Sequence, residues 1–356
     1  MIASANSGCG RKPAHSQPQI LGGVNFALTI FQLYWVDPET GETHSRRLSN
    51  THLISFLSNR SPGKVVLEAC GGAHWWARKI IRLGHEAILL HPKYVRPFVR
   101  TNKTDAADAR AIWTAAQQPG MRPIPVKTEA QQAILGLHRI RSELVDSRTR
   151  QVNQIRGLLG EYGLHFVLGR KAAMAQFVTR LSEIEQTIPA PLWRLLSRQL
   201  QRLRQLDAEI LAAEQEIAAW LKTEPAAQCV DAIPGIGPIT ATALVATMGS
   251  PQAYRSGRAF AASLGLVPTQ SGTGGKVHLG HISKRGDPYL RKLLIHGARI
   301  VLTRSKRRPC WVEALLVRRP TNVAIVALAN KMARTAWALL AHRRVYEPGY
   351  VSARPV

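Results

Sequence analysis

The sequence predicts an α/β domain followed by helical segments, on three observations. In the first 127 residues, short runs rich in β-branched and aromatic residues alternate with helical patterns. From residue 128 apolar residues recur at helical spacing, with Arg and Gln on the other faces. Residues 226–345 are mostly helical in pattern and strongly basic, with Asp231, Asp287 and Glu313 as their acidic residues. The fold class is therefore α/β plus α. Residues 1–19 form a polar leader, 20–127 the α/β domain and 128–225 a long helical coiled-coil hairpin. Residues 226–345 form a mostly helical C-terminal domain and 346–356 a tail.

The elements follow in order. Residues 20–24 and 30–36 read as strands, and Asp37-Pro38-Glu39-Thr40-Gly41 reads as a turn into a third strand over 44–48. Residues 53–57 fit a helix. The apolar run around Val65-Val66-Leu67 fits a buried strand that Gly71-Gly72 ends. A helix over 74–83 and a strand over 86–90 come next. Three strands followed by alternating helix and strand is the order of an RNase H-like domain. Further on, Ile134, Leu137, Ile140 and Leu144, then Leu200, Leu203, Leu206, Ile210 and Leu211, mark two long helices separated at Pro189 and Pro191. They read as an antiparallel hairpin, a spacer or dimerisation element. Arg139, Arg141, Arg148, Arg150 and Arg156 are either a solvated face or a contact for nucleic acid.

Composition narrows the function. A formal net charge of +26 calls for a polyanionic partner, and nucleic acid is the first choice. A membrane surface is the weaker one, because no segment has roughly 18 uninterrupted apolar residues. Residues 1–19 lack an apolar core, which excludes a signal peptide and predicts a disordered, dispensable leader. Cys9, Cys70, Cys229 and Cys310 contain no Cys-x-x-Cys pair, which argues against zinc, and their scatter suits a reducing cytoplasm. Cys70 and Cys229 read as core thiols.

Four segments carry chemistry. In Asn102-Lys103-Thr104-Asp105-Ala106-Ala107-Asp108-Ala109-Arg110, the i, i+3 spacing puts Asp105 and Asp108 on one helix face. Adjacent carboxylates repel unless a cation neutralises them, so the pair suits a divalent metal such as Mg2+. A helix N-terminus that merely favours Asp is the alternative. Arg100, Lys103 and Arg110 would accompany a phosphate backbone. Glu68, at the end of the buried strand, is placed to join the pair. Ile233-Pro234-Gly235-Ile236-Gly237-Pro238 has the form of a helix-hairpin-helix turn, whose glycines Gly235 and Gly237 admit a DNA backbone to the next helix's amides. Gln270-Ser271-Gly272-Thr273-Gly274-Gly275-Lys276 reads as a flexible loop. It either delivers a hydroxyl nucleophile, with Lys276 against developing charge, or grips phosphate without chemistry. Lys284, Arg285, Arg291 and Lys292, with Ser305-Lys306-Arg307-Arg308, make the C-terminal region the most basic, and its DNA affinity should fall steeply with salt.

Together these segments resemble the IS110/IS1111 family of insertion-sequence transposases over nearly the whole chain after residue 20. The resemblance rests on Gly23-Val24-Asn25-Phe26-Ala27, Leu67-Glu68-Ala69-Cys70, the Asp105–Asp108 segment, Ile233-Pro234-Gly235-Ile236-Gly237 and Gly265-Leu266-Val267-Pro268. Its most specific part is Ile282-Ser283-Lys284-Arg285-Gly286-Asp287-Pro288-Tyr289-Leu290-Arg291 with Leu293 to Arg299. It implies a RuvC-like DEDD domain, a coiled coil and a C-terminal domain with a nucleophilic serine. It further implies recombination of double-stranded DNA guided by an element-encoded structured RNA, in a homodimer or homotetramer of the bacterial cytoplasm. Glu68 matches the DEDD glutamate, and Asp105 and Asp108 its last two aspartates. Asn25 stands where the first aspartate is expected, and an amide lacks the carboxylate's charge, so metal affinity should fall. Leu28 stands where a lysine is usual. At the nucleophile, the serine position in register holds Thr273, and Ser271 is the nearest serine. Ser271 is favoured as a primary hydroxyl, with a flexible loop absorbing the two-residue shift. The implied mechanism joins the metal site and the hydroxyl loop across subunits, with a covalent protein-DNA phosphoester as intermediate. The rivals are a Holliday-junction nuclease using the metal site alone and a catalytically decayed DNA-binding copy.

Overall fold

The computed structural model describes residues 20–27, 30–37, 39–99, 102, 104–305, 308–348 and 350. The leader with Cys9, and Leu28, Arg100, Lys103, Lys306 and Arg307, lie outside the described residues. The chain divides into two units, residues 1–128 and 129–356.

The first unit is built on a mixed sheet. Strands β1 (Ile20–Ala27), β2 (Ile30–Val36) and β3 (Thr43–Ser49) form an antiparallel meander, the turn after β2 closed by Asp37 accepting from the Glu39 and Thr40 amides. Those bonds favour the ionised Asp37 carboxylate and hold its pKa below the ordinary value. Helix α1 (Asn50–Ser58) starts where Ser49 accepts from the His52 amide, and it buries Leu53 and Leu57. Strand β4 (Lys64–Glu68) follows, buried on both faces. After Gly72, at φ +84°, helix α2 (Ala73–Arg82) turns Ala73, Trp76, Ala77 and Ile80 inward. Strand β5 (Glu86–Leu90) and a short helix α3 (Pro92–Val95) lead to helix α4 (Asp105–Ala116). The order across the sheet is β3-β2-β1-β4-β5, with β1, β4 and β5 parallel. This five-stranded mixed sheet fits the expected RuvC-like DEDD domain.

Each sheet face has its own core. Val24, Phe31, Leu33, Val65 and Leu67 pack with α1 and α2 residues. Val66 and Leu90 pack with Ala111, Ile112 and Ala115 of α4. The alternation along each strand sets which residues meet which helix.

The second unit opens with α5 (Glu129–Gly160), then α6 (Arg170–Thr179), α7 (Leu181–Thr187) and α8 (Ala190–Thr223). The long helices α5 and α8 run antiparallel: Arg141 meets Glu214, Arg148 meets Asp207 and Gln151 meets Gln199. Pro189 and Pro191 stand at the start of α8, and the break between the long helices spans residues 161–189 and contains α6 and α7. Gly163 and Gly169, at φ +74° and +99°, make that break. The buried stripe also differs from the predicted one. Ile140 and Leu211 are 56% exposed each, while His138 and Gln151 take inward positions. Polar side chains that find partners across the pair can replace apolar ones at a seam. Arg141, Arg148, Arg150 and Arg156 are engaged by Glu214, Asp207, Glu143 and the Phe166 carbonyl, so these cations serve the helices themselves.

Helices α9 (Pro225–Asp231), α10 (Pro238–Met248) and α11 (Gly257–Ser263) come next, then strands β6 (Pro268–Thr273) and β7 (Lys276–Ile282). Helices α12 (Pro288–Arg304), α13 (Cys310–Arg318) and α14 (Thr321–His342) complete the unit. Helix α14 is long and apolar enough to cross a membrane by length and composition. Its Ala324, Ile325, Leu328, Ala329, Met332 and Ala333 lie in the core of this unit, packed with residues of α10 and α12. The imidazole of His138 ties α5 to this core, Nδ1 to the Tyr289 hydroxyl at 3.1 Å and Nε2 to Thr242 Oγ1 at 3.0 Å. Burial, reinforced by the Arg141 charge, lowers its pKa to about 4.

Candidate active site

The acidic site is assembled by one glycine. A Cβ at Gly23 would lie 2.4 Å from the Ala109 carbonyl oxygen, so only glycine lets α4 rest directly on β1. Opposite Gly23 in β2 is Tyr34, whose ring stands edge-on to Trp113 of α4 at 5.7 Å. Asn25, two residues along β1, faces the same way one helical turn earlier. There its Nδ2 donates to Asp105 Oδ1 at 3.4 Å, a long bond. Asp105 and Asp108 occupy the first turn of α4, whose N-cap Thr104 accepts from the Ala107 amide at 3.2 Å. Asp105 is exposed and Asp108 half-buried. Glu68 ends β4, the parallel neighbour of β1, two residues after Val66 and on the same face. Asn25, Glu68 and the α4 first turn thus share one side of the sheet at the ends of its central strands.

The donor chemistry, carboxylate and amide oxygens, suits a hard divalent cation. Among the described residues, however, no three His, Cys, Asp or Glu side chains stand close enough to hold one. The set is gathered on one face without being drawn together, and the position nearest Asp105 is occupied by an amide that donates to it. Cys70, read as a core thiol, is exposed in the turn after β4, because the chain leaves the sheet at Glu68. Partial burial first, then the Glu68 charge, pushes its thiol pKa up.

The second candidate centre is a β-hairpin where a flexible loop was expected. Gly274 and Gly275, at φ +57° and +78°, form its two-residue turn, a geometry that matches the twist of paired strands. The flanking residues then pair: Thr273 with Lys276, Gly272 with Val277 and Ser271 with His278. Ser271 and Thr273 therefore share a face at fixed positions about 6.7 Å apart, and no loop slack interchanges them. Lys276 and His278 stand on that same face. Every residue from 268 to 281 is exposed.

The hairpin's base is interlocked. Ser283 donates to the Val267 carbonyl at 2.8 Å and Lys284 to that of Gly265 at 3.2 Å. A Cβ on Gly286 would sit 1.8 Å from the Ser263 oxygen, and one on Gly265 2.3 Å from that of Arg285. Arg291, expected at DNA, donates to the Leu264 carbonyl at 2.9 Å and so braces the base. Lys284 and Arg285 are exposed, Lys284 in a left-handed conformation at φ +52°.

The glycine pair of the 233–238 turn also divides its roles. Gly235, at φ +86°, packs on α12, where a Cβ on Gly297 would stand 1.9 Å from the Gly235 oxygen. It serves close packing within the protein rather than an incoming backbone. Gly237 has open space around it and precedes α10, which has no side-chain cap. Two residues escaped the sequence reading. His278 lies just past the 270–276 loop segment, and only the alternation Lys276, His278, Gly280 beside a Gly-Gly turn signals its strand. His138 was hidden because a polar residue inside a charged helix looks solvated.

Comparison with known proteins places the chain in a family. An IS110-type DEDD family described as a transposase matches residues 23–164, and the Transposase IS116/IS110/IS902 family matches residues 227–311. The chain is 45% identical over 332 residues to a probable family 20 transposase of Pseudomonas aeruginosa, covering 92% of this chain and 98% of that protein. It is 39% identical to the transposase for insertion sequence element IS1328 of Yersinia enterocolitica, covering 91% of this chain and 97% of that one. It is also 39% identical to the transposase for insertion sequence element IS1111A of Coxiella burnetii, covering 92% and 91%. A DEDD-type domain suggests a divalent metal, and a transposase family implies DNA binding. With a five-stranded DEDD-type domain, a basic C-terminal unit and relatives of this similarity, the chain belongs to the IS110/IS1111 family of insertion-sequence transposases and is a DNA transposase.

Proposed function

We propose that this transposase cuts and rejoins double-stranded DNA through a hydroxyl nucleophile on the β6–β7 hairpin, with the acidic site of the first unit as its metal site. The observation that carries the reading is the exposed hairpin face bearing Ser271 and Thr273 beside Lys276. The proposed metal is Mg2+, which Glu68, Asp105 and Asp108, with Asn25 in place of the family aspartate, would hold only once drawn closer together than they stand here. When bound, it supplies positive charge against the oxygens of a phosphodiester. Asn25 orients Asp105 through its amide, and the hairpin hydroxyl forms the phosphoester while Lys276 offsets developing negative charge. Gly235-Ile236-Gly237 and α10 act as a helix-hairpin-helix phosphate contact through the open side at Gly237. Lys284 and Arg285 add electrostatic affinity for DNA. The α5–α8 pair acts as a coiled-coil assembly element of a homodimer or homotetramer, between the acidic domain and a C-terminal transposase domain. A structured RNA from the element guides target choice, and the protein works in the bacterial cytoplasm at the nucleoid.

The test is recombination between plasmid donor and target with the element's flanking RNA and Mg2+, alongside denaturing gels for a protein-DNA adduct. Recombinant product with an adduct supports the reading, and its loss in a Ser271→Ala/Thr273→Ala double variant ties the adduct to the hairpin. Recombination without any adduct points to the metal-only nuclease. A second reading, a decayed DNA-binding copy, is favoured by Asn25 and predicts tight, salt-sensitive binding with neither product.

A further inference from the structure

We infer that His278 is the proton acceptor for Ser271, which makes Ser271 rather than Thr273 the attacking hydroxyl. The inference rests on the hairpin nucleophile proposed above and extends it to a residue with no role in that reading. The strand register carries it. Ser271 lies directly opposite His278, whereas Thr273 lies opposite Lys276. Directly opposed residues share a face with Cβ atoms about 4.5–5.5 Å apart, within reach of an imidazole nitrogen for a hydroxyl after a rotamer change. Both side chains are exposed, so an incoming phosphodiester can reach them.

The chemistry separates the two hydroxyls. An alcohol is a weak nucleophile near neutral pH unless a base removes its proton as it attacks. A neutral imidazole accepts a proton, and a lysine ammonium cannot. The hairpin thus gives Ser271 a base and gives Thr273 a cation, the arrangement for a hydroxyl that bonds to a phosphate oxygen beside a counter-charge. The charged or titratable groups sharing His278's face on its own strand are Lys276 and, past the register shift, His281. The β6 strand opposite offers Ser271 and Thr273, and neither strand carries an acidic residue. Past the register shift Ile282 pairs with Pro268, so alternation there returns His281 to the face of His278 at the base of the hairpin.

The step balances as follows. Ser271 Oγ bonds to phosphorus as its proton passes to His278, the bond from phosphorus to the 3′-oxygen breaks, and that oxygen takes a proton from water. On rejoining, a strand-end 3′-hydroxyl bonds to phosphorus and releases its proton to water. The bond from phosphorus to Ser271 Oγ then breaks, and His278 returns the proton to Oγ.

The experiment measures the rate of adduct formation by the full chain on nicked element-end DNA with Mg2+ from pH 5.5 to 8.5. It uses the native chain and the same set in an Asn25→Asp background. The expected rate rises with pH, because the attacking hydroxyl must lose its proton to a base. His278→Gln should slow the adduct by about 10²- to 10⁴-fold, flatten that rise and leave DNA affinity unchanged. Added imidazole should restore part of the rate to His278→Gly. Ser271→Ala should abolish the adduct, whereas Thr273→Ala should keep both the adduct and the pH profile. An adduct rate in His278→Gln within about threefold of the parent, with the same profile, overturns this inference and leaves the hairpin nucleophile standing. Absence of any adduct from both backgrounds overturns the nucleophile reading and this inference with it.

Discussion

Replacing Asn25 by Asp tests whether the acidic face is a metal site. In the native chain the Asn25 amide donates to Asp105 Oδ1 at 3.4 Å. Asn25→Asp exchanges that bond, about 1 kcal/mol at most, for two like charges at the same separation. Their repulsion is about 1 kcal/mol at the dielectric of water and about 5 kcal/mol at an effective dielectric of 20. Asp105 is exposed, which selects the lower end. Without metal the variant should be less stable by about 1–2 kcal/mol, and its first thermal transition should fall by several degrees. A divalent cation reverses the sign. It relieves the repulsion and gains a charged oxygen ligand, and each ~1.4 kcal/mol so recovered corresponds to about tenfold tighter binding. Scanning fluorimetry and titration calorimetry with Mg2+ and Mn2+ read both quantities. The expected result is a variant less stable than the parent in chelator and more stable, with at least about tenfold tighter metal binding, in millimolar metal. A variant equally destabilised with and without metal would refute the reasoning.

Other expectations concern the second unit. Because His138 is held neutral with a pKa of about 4 against 6.5 in the unfolded chain, the unfolded state binds the proton first as pH falls. The His138 contribution should be constant above pH 6.5, fall by about 3 kcal/mol between 6.5 and 4, and be constant again below. Urea unfolding of the full chain against pH measures this, and His138→Gln should remove most of the slope. Gly297→Ala places a Cβ on the Gly235 oxygen and should cost about 2–4 kcal/mol or more by prising the 233–238 turn from α12, seen as a lower urea midpoint. Lys284→Ala/Arg285→Ala should weaken DNA binding and reduce the slope of log affinity against log salt by about 2, whereas Arg291→Ala should chiefly lower stability, because its guanidinium braces Leu264.

Much of the first unit was legible in the sequence. The strands announced themselves by β-branched and aromatic runs between turn residues, and Asp105 and Asp108 marked the start of α4, which Thr104 caps. Glu68, Asp105 and Asp108 are readable from the residues and Asn25 only through the family resemblance; the close contact at Gly23 explains physically why the four share a face. What escaped were features that depend on partners distant in sequence. Ile140 and His138 are two positions apart on one helix, and only the packing of α8, α10 and α12 decides that the imidazole goes inward. Arg148 and Arg291 look like nucleic-acid contacts until Asp207 and the Leu264 carbonyl are seen beside them. The hairpin was missed because Ser, Gly and Thr favour loops, and strand character emerges only once Val277, His278 and Leu279 pair across the Gly-Gly turn.

The most direct test of the account is to identify the residue that becomes bonded to DNA. The full chain would be trapped on nicked element-end DNA, digested with protease and nuclease, and the residual nucleotide located by fragmentation mass spectrometry. The account predicts a phosphonucleotide on Ser271, absent from Ser271→Ala and present in Thr273→Ala. A nucleotide on Thr273, or on any residue outside the β6–β7 hairpin, would contradict it.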